Sequence, residues 1–350
     1  MTDEMLGAAL GAGLFATLVG LNARYLGRLL GLLDFPDRAG GRKRHSRVTP
    51  LLGGTAVLVP VIVALFAMSL GFGGLSEVNA RDMAIIASLV AVFYVLGVTD
   101  DRLELTPRFR LIVGGVAFSL GMIMVPSLDL QELRFAMTAN PHGAMLVVPL
   151  SYVGGAFTLV CMVGLLNAVN MADGKNGLVI GLALMWTGML SLYAPMYLQG
   201  VLLVVGAALA VALYFNLRGR FFLGDGGSYG ISALFGALAI YVYNSPDSTL
   251  TAGPIATWFL MPVLDCLRLI TVRALKGRSP FSGDRDHLHH HLGCLMGWPN
   301  GLLIYWLMAG LPSVAAYMFP DANLQIILAA GAAYATVVAA AYRSQAANAG

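Results

Sequence analysis

Long apolar runs alternate with short polar gaps along almost the whole chain, and the runs are of membrane-spanning length. They fall at roughly 5–23, 51–71, 83–99, 111–126, 144–166, 178–198, 200–215, 227–243, 252–272, 301–319 and 323–342, and each predicts an apolar helix. Several are close to the lower limit of about 17 residues for a spanning helix, so flanking loop residues are expected to extend them. Two runs meet at Gln199-Gly200 with almost no loop. Merging them would reverse every later loop, so the break is kept. The stretch 127–143 follows Pro126, contains Pro141 and several charges, and is too polar to span. It is expected to form a small hairpin or a surface segment.

Composition turns this pattern into a fold class. Of the 350 residues, 58% are hydrophobic and 11% charged, and the mean hydropathy is +0.77. A soluble domain carries about 25% charged residues, so this chain could not cover a water-facing surface. Its 42 glycines suit close packing between spanning helices. The expectation is an all-α polytopic integral membrane protein of eleven transmembrane helices, with 1–350 forming one membrane-embedded domain. No early basic region or small-residue cleavage site is present, so a removed signal peptide is not expected. Cys161, Cys266 and Cys294 show no thiolate metal pattern.

Charge sets the orientation. Of the 21 Lys and Arg residues only Arg81 and Arg134 fall in one set of gaps; the other 19 lie in 24–50, 100–110, 167–177, 216–226, 273–300 and the C-terminus, or, for Arg268, at the end of a span. Basic loops stay cytoplasmic. The N-terminus is therefore expected outside and the C-terminus inside.

The remaining polar residues gather on that basic side. The first inward loop holds Arg42, Lys43 and His45, either an anchor on anionic membrane lipid or a phosphate-binding segment. Asp100-Asp101 end the third run. Adjacent carboxylates repel unless a cation, proton or solvent offsets them. They cannot point the same way on a helix, so one could meet a metal and the other a substrate. Asn167, Asn170 and Asp173 recur at helical spacing before Gly174. They read as a cap and turn, or as directional contacts to a sugar, uracil or phosphate. Asp225 sits between Gly224 and Gly226 at a membrane edge, where it could cap a helix or bind hard Mg²⁺. His287, His289, His290 and His291 crowd five positions downstream of Asp265 and Arg268. With Asp-rich loops nearby and no accompanying Glu, His287, His289 and His290 read better as diphosphate or sugar-nucleotide contacts than as a zinc site. There is no Walker A sequence and no Ser–His–Asp signature. The set suits magnesium-assisted transfer at a phosphate.

In their order these motifs resemble the polyprenyl-phosphate N-acetylhexosamine-1-phosphate transferase family over roughly 20–300: Asp100-Asp101, Asn167-x-x-Asn170-x-x-Asp173-Gly174, Gly224-Asp225-x-Gly227-Ser228 and His287-Leu288-His289-His290. The resemblance implies a bacterial inner-membrane enzyme with a cytoplasm-facing site. It would move N-acetylhexosamine-1-phosphate from a UDP-N-acetylhexosamine to undecaprenyl phosphate, releasing UMP. It also implies Mg²⁺, with Mn²⁺ able to stand in. Asp225 is implied as direct metal ligand and Asp101 as assisting the metal or the local charge. Asp100 would position or deprotonate the lipid phosphate. Asn170 and Asp173 would orient nucleotide or diphosphate, and His289 and His290 would support the pyrophosphate. Arg42, Lys43, His45, Asn167, Arg268 and His287 complete the expected substrate contacts, and Asp173 joins Asp100, Asp101 and Asp225 in the catalytic set. The terminal His motif and Asp284-Arg285-Asp286 resemble the GlcNAc-phosphate branch; phospho-MurNAc-pentapeptide transfer is the alternative. Two departures occur: Arg38-Ala39-Gly40-Gly41 lengthen the spacing between Asp37 and Arg42, and Leu51-Leu52 stand where a basic residue often precedes the Gly pair. A transporter for an anionic lipid is the non-enzyme alternative; its charges should line a path to both faces. No nucleic-acid partner is expected, and a homodimer remains open.

The basic asymmetry is testable in intact cells. Cysteines placed near Arg42, Arg108, Lys175, Arg220 and Arg285 should resist external labelling, whereas cysteines near Asp247 or Asp321 should accept it. External labelling at several of the first group would reject the eleven-span orientation.

Overall fold

The computed structural model describes residues 3–36, 47–71, 76–140, 142–279 and 286–349. Arg42, Lys43 and His45 lie outside the described residues, as do Pro280, Asp284 and Arg285. The helices are α1 (Asp3–Leu21), α2 (Ala23–Leu30), α3 (Gly53–Ser69), α4 (Glu77–Leu103), α5 (Pro107–Met124), α6 (Gly154–Ala172), α7 (Leu178–Ser191), α8 (Met196–Leu217), α9 (Gly224–Tyr243), α10 (Ala252–Leu275), α11 (Leu288–Met296), α12 (Trp298–Met318) and α13 (Asn323–Ala349). Among the described residues nine helical segments are long and apolar enough to cross a membrane, and α3 and α7 are shorter apolar helices. The protein is thus mostly helical and polytopic in character.

Two boundaries move from their expected places, each for a local reason. The break expected at Gln199-Gly200 falls earlier, at 192–195. Pro195 precedes α8, and the Gln199 side chain turns back to donate to the carbonyls of Ser191 (2.9 Å) and Ala194 (3.0 Å). That satisfies acceptors which the end of α7 leaves open. The run expected to begin at 144 starts as a strand instead. β3 (Glu132–Ala136) and β4 (Met145–Pro149) pair antiparallel, with Arg134 opposite Val147, and α6 begins only at Gly154. Val147, Val148 and Pro149 favour extended backbone over a helix interior.

Contacts divide the chain into two compact units, Met1–Pro126 with Val179–Ala237, and Ser127–Leu178 with Leu238–Gly350. In the first unit α1 packs on α8 and α3, and α3 on α4 and α8. The packing inverts the soluble pattern. On α1 the large residues Leu6, Leu10, Leu14 and Leu18 are exposed, while Ala9, Ala12, Ala16 and Gly20 face inward. In lipid there is no gain from hiding leucine, so small residues that let backbones approach occupy the interface. The closest approaches surround the start of α9. A Cβ on Gly97 would overlap the Asp225 carbonyl oxygen, and one on Gly54 would overlap the backbone of Gly227. The extended segment before α3 also pairs with the one before α9: Phe222 donates to Pro50, and Gly53 donates to Phe222 (2.9 Å). These contacts bring the ends of α3, α4 and α9 together.

In the second unit α10 packs on α6, α12 and α13, and α11 lies on α12 and α13. The β3–β4 hairpin is tied down by Arg134, whose guanidinium stacks on the Tyr243 ring 4.2 Å from its centroid and whose backbone N–H donates to the Tyr243 hydroxyl at 2.6 Å.

Gly97→Val should overpack the α4–α9 contact, costing about 1–3 kcal/mol or more. Gly115→Val, on α5 with open space around it, should be nearly neutral. Equal thermal stability of the two variants in detergent would contradict this packing.

Candidate active site

In the first unit the paired aspartates diverge, each finding its own partners. Asp101 turns to the N-terminus of α9, where its Oδ1 accepts the Asp225 N–H (2.9 Å) and its Oδ2 the Gly226 N–H (3.1 Å). A carboxylate from one helix therefore caps another, using the open donors and positive dipole end of α9. Gly224 makes the turn at φ +76°, and a Cβ there would stand 2.8 Å from Asp101 Oδ2. Only glycine meets both demands.

Asp100, 4% exposed, points into a compact polar knot. Its Oδ1 accepts the Leu105 N–H at 2.7 Å. Its Oδ2 accepts from Arg110 Nη1 (2.6 Å) and from the Tyr229 hydroxyl (2.7 Å). Arg110 Nη1 also donates to the Tyr229 oxygen at 2.7 Å, closing a triangle. Tyr229 lies one turn beyond Asp225 on α9, so the two share a face. A buried carboxylate needs such compensation. Asp100 is thus fully engaged by the protein, a geometry suited to positioning a cation more than to taking a proton.

Among the described residues no group of three or more His, Cys, Asp and Glu side chains is placed to hold a metal ion. Mg²⁺ does not require one: it takes one or two carboxylates and completes its shell with water and substrate phosphate oxygens. Asp101 and Asp225 fit that sparse donor set. They adjoin at the α9 N-terminus, both offer hard oxygens, and each Asp101 oxygen that accepts one N–H retains a further lone pair.

In the second unit Asp265 of α10 repeats the capping device. Its two oxygens accept the Leu288 N–H at 3.1 and 3.2 Å, holding the N-terminus of α11, and its Oδ2 accepts from His287 Nδ1 at 3.1 Å. At the other flank His291 Nε2 donates to Asp286 Oδ1 at 2.8 Å. His289 lies between these anchors, 1% exposed, with its Nε2 lacking a hydrogen-bond partner among the described residues. That atom faces Gly174, where any Cβ would overlap it. The His motif thereby meets the Asn/Asp motif. Trp298 fastens the same loop through Nε1–H to the Asn176 carbonyl (2.9 Å). Burial foremost, then His290 and His287, holds His289 well below the ordinary imidazole value, leaving it neutral.

Asn167 is less engaged with this loop than its spacing suggests; its Nδ2 donates to Val163 O of its own helix at 2.8 Å. Arg268, expected on the substrate, is engaged by the protein. It donates from Nε to Tyr334 (2.8 Å), from Nη1 to Tyr342 (3.0 Å) and Asp286 Oδ2 (3.2 Å), and from Nη2 to Asp265 Oδ1 (3.0 Å) and the Asp286 carbonyl. A guanidinium has five N–H groups, and all five are used.

Residues 83–243, which contain the entire Asp100–Asp101–Arg110–Asp225–Tyr229 centre and the Asn167–Asp173 motif, match the family model described as glycosyl transferase family 4. Over that segment the chain is similar to this family. It is similar to the undecaprenyl-phosphate alpha-N-acetylglucosaminyl 1-phosphate transferase of Escherichia coli strain K12, 28% identical over 298 residues, covering 79% of this chain and 73% of that protein. The Salmonella typhi protein of the same name is 29% identical over 299 residues, with the same coverage. A probable undecaprenyl-phosphate N-acetylglucosaminyl 1-phosphate transferase of Bacillus subtilis strain 168 is 27% identical over 304 residues, covering 83% of this chain and 79% of that protein. The functional residues that sequence reasoning passed over are Arg110, Tyr229, Tyr334, Tyr342 and the capping role of Asp265. Asp265 and Arg268, an i,i+3 pair of charges within an apolar run, were the available signal. The tyrosines offered none.

The neutral state of His289 has a pH consequence. The stability gained by burying it uncharged is full above about pH 6.5, the ordinary imidazole value. It is lost as pH falls lower, because the unfolded chain then binds a proton that the folded one excludes. His289→Asn should flatten the decline of Tm between about pH 7 and pH 5 relative to the unsubstituted protein. Parallel declines would contradict the assignment.

Proposed function

We propose that this protein is a family 4 glycosyl transferase, a membrane-embedded sugar-phosphate transferase that moves GlcNAc-1-phosphate from UDP-GlcNAc to undecaprenyl phosphate. The observation that carries the reading is the carboxylate centre at the start of α9, lying wholly within the family segment, in a chain whose relatives are named for this transfer. Its setting would be the bacterial inner membrane, with eleven spans and the catalytic loops facing the cytoplasm.

In the reaction an oxygen of the lipid phosphate forms a bond to the sugar-bearing phosphorus of the donor. The bond from that phosphorus to the bridging oxygen breaks, and its electron pair leaves with UMP. The acceptor is already anionic near neutral pH, so no strong base is required, and direct attack in line is preferred to a phosphoryl-enzyme step. Mg²⁺, held by Asp101 and Asp225, would neutralise charge on the diphosphate oxygens. Asp100 and Tyr229 orient Arg110, whose charge attracts the acceptor phosphate. Asn170 and Asp173 orient the nucleotide or diphosphate, and neutral His289 offers Nε2 to the diphosphate.

Two substitutions test these roles by UMP release from purified protein given UDP-GlcNAc and undecaprenyl phosphate. Asp225→Asn should leave insertion intact, lower turnover sharply and demand more Mg²⁺; unchanged metal dependence would remove it from the metal set. Asp100→Asn should raise the KM for lipid phosphate by about tenfold, the order expected when one charged hydrogen bond is lost. Raising pH should not rescue it. Recovery at high pH would make Asp100 a base instead.

A further inference from the structure

We propose that the last helix, α13, is a working part of the histidine site, with Tyr334 and Tyr342 as positioning residues that fix His289 through Asp265, Arg268 and Asp286. Which reaction this serves rests on the function proposed above; the positioning itself does not.

The two tyrosines lie eight residues apart on α13, close to one face of the helix, and each hydroxyl works in both directions. Tyr334 accepts from Arg268 Nε (2.8 Å) and donates to Asp265 Oδ1 (2.8 Å). Tyr342 accepts from Arg268 Nη1 (3.0 Å) and donates to the Asp286 carboxylate, 2.6 Å from each oxygen. Arg268 sits between them as a shared donor. The two carboxylates so held are the ones that grip the histidine segment: Asp265 takes the α11 N-terminus and His287, and Asp286 takes His291. His291 also packs edge-on to the Tyr342 ring, with centroids 5.1 Å apart.

Hydrogen bonding then decides which of His287, His289 and His291 is left for a ligand. His287, at Asp265, and His291, at Asp286, are both tied to this network. His289 instead stacks on the His287 ring, with centroids 5.1 Å apart. Its buried Nε2 meets Gly174 and has no partner among the described residues. Removing the Tyr334 hydroxyl would leave the Arg268 Nε–H unmatched and take a donor from Asp265, and removing that of Tyr342 would take a donor from Asp286, which loosens the network. Hydrophobic contact alone would have been met equally by phenylalanine at either position.

The test uses the full-length protein with Tyr334→Phe, Tyr342→Phe and the pair, plus Arg268→Lys, which keeps the charge but loses the five-donor fork. Hydrogen exchange of the segment 286–296, measured without substrates by mass spectrometry, should quicken several-fold in each variant while segments of α3 and α4 remain unchanged. In the UMP assay each Tyr variant should raise the KM for UDP-GlcNAc by about tenfold and leave the KM for lipid phosphate in place. Wild-type exchange in the double variant would overturn the proposal, as would a fall in kcat alone with both KM values unchanged. If the unsubstituted protein released no UMP from any UDP-sugar, the functional reading would fail. The exchange rates would then decide the positioning role alone.

Discussion

An ionised carboxylate buried in an apolar chain must find compensation, and two aspartates here find it in the open end of another helix. Asp101 takes the first N–H groups of α9, and Asp265 takes that of α11. A helix N-terminus buried without partners is costly, and so is an unpaired carboxylate. Each offsets the other. Because cap and helix come from separate parts of the chain, the exchange fixes tertiary geometry at the points where the polar motifs lie.

The consequence differs between the two units. At α9 the cap leaves Asp225 beside Asp101 and sets Tyr229 one turn further on, where it joins Arg110 in holding Asp100. At α11 the cap orders a histidine segment so that one imidazole, buried and neutral, presents an unmatched nitrogen. The first arrangement suits a divalent cation and an anionic acceptor; the second suits a neutral hydrogen-bonding contact to a diphosphate. Charge that would be prohibitive in lipid is thereby answered by helix dipoles and guanidinium groups.

Much of this was legible in the residues because apolar runs and isolated charges are strong signals in a membrane chain. The helical class followed from composition, and the Asp100-Asp101 pair was expected to diverge, as it does. What spacing could not convey was the partner of each charge. Asp100 reads the same whether it faces a substrate or Arg110, which is ten residues away, and Tyr229, which is far along the chain. Arg268 was expected to contact substrate because nothing local shows that two tyrosines of the last helix would take up its donors. The strand Met145–Pro149 was hidden inside an apolar run, since valines serve a strand and a span alike. The break before α8 was anticipated but misplaced, because a glycine looked like the interruption where Pro195 and the Gln199 side chain supply it.

The measurement closest to the centre of the account follows the phosphorus itself. UDP-GlcNAc labelled at the β-phosphate, incubated with the reconstituted protein, Mg²⁺ and undecaprenyl phosphate, should pass its label to the lipid fraction as UMP appears in equal amount. Label remaining in UDP while sugar reaches the lipid, or appearing as free phosphate, would contradict sugar-phosphate transfer.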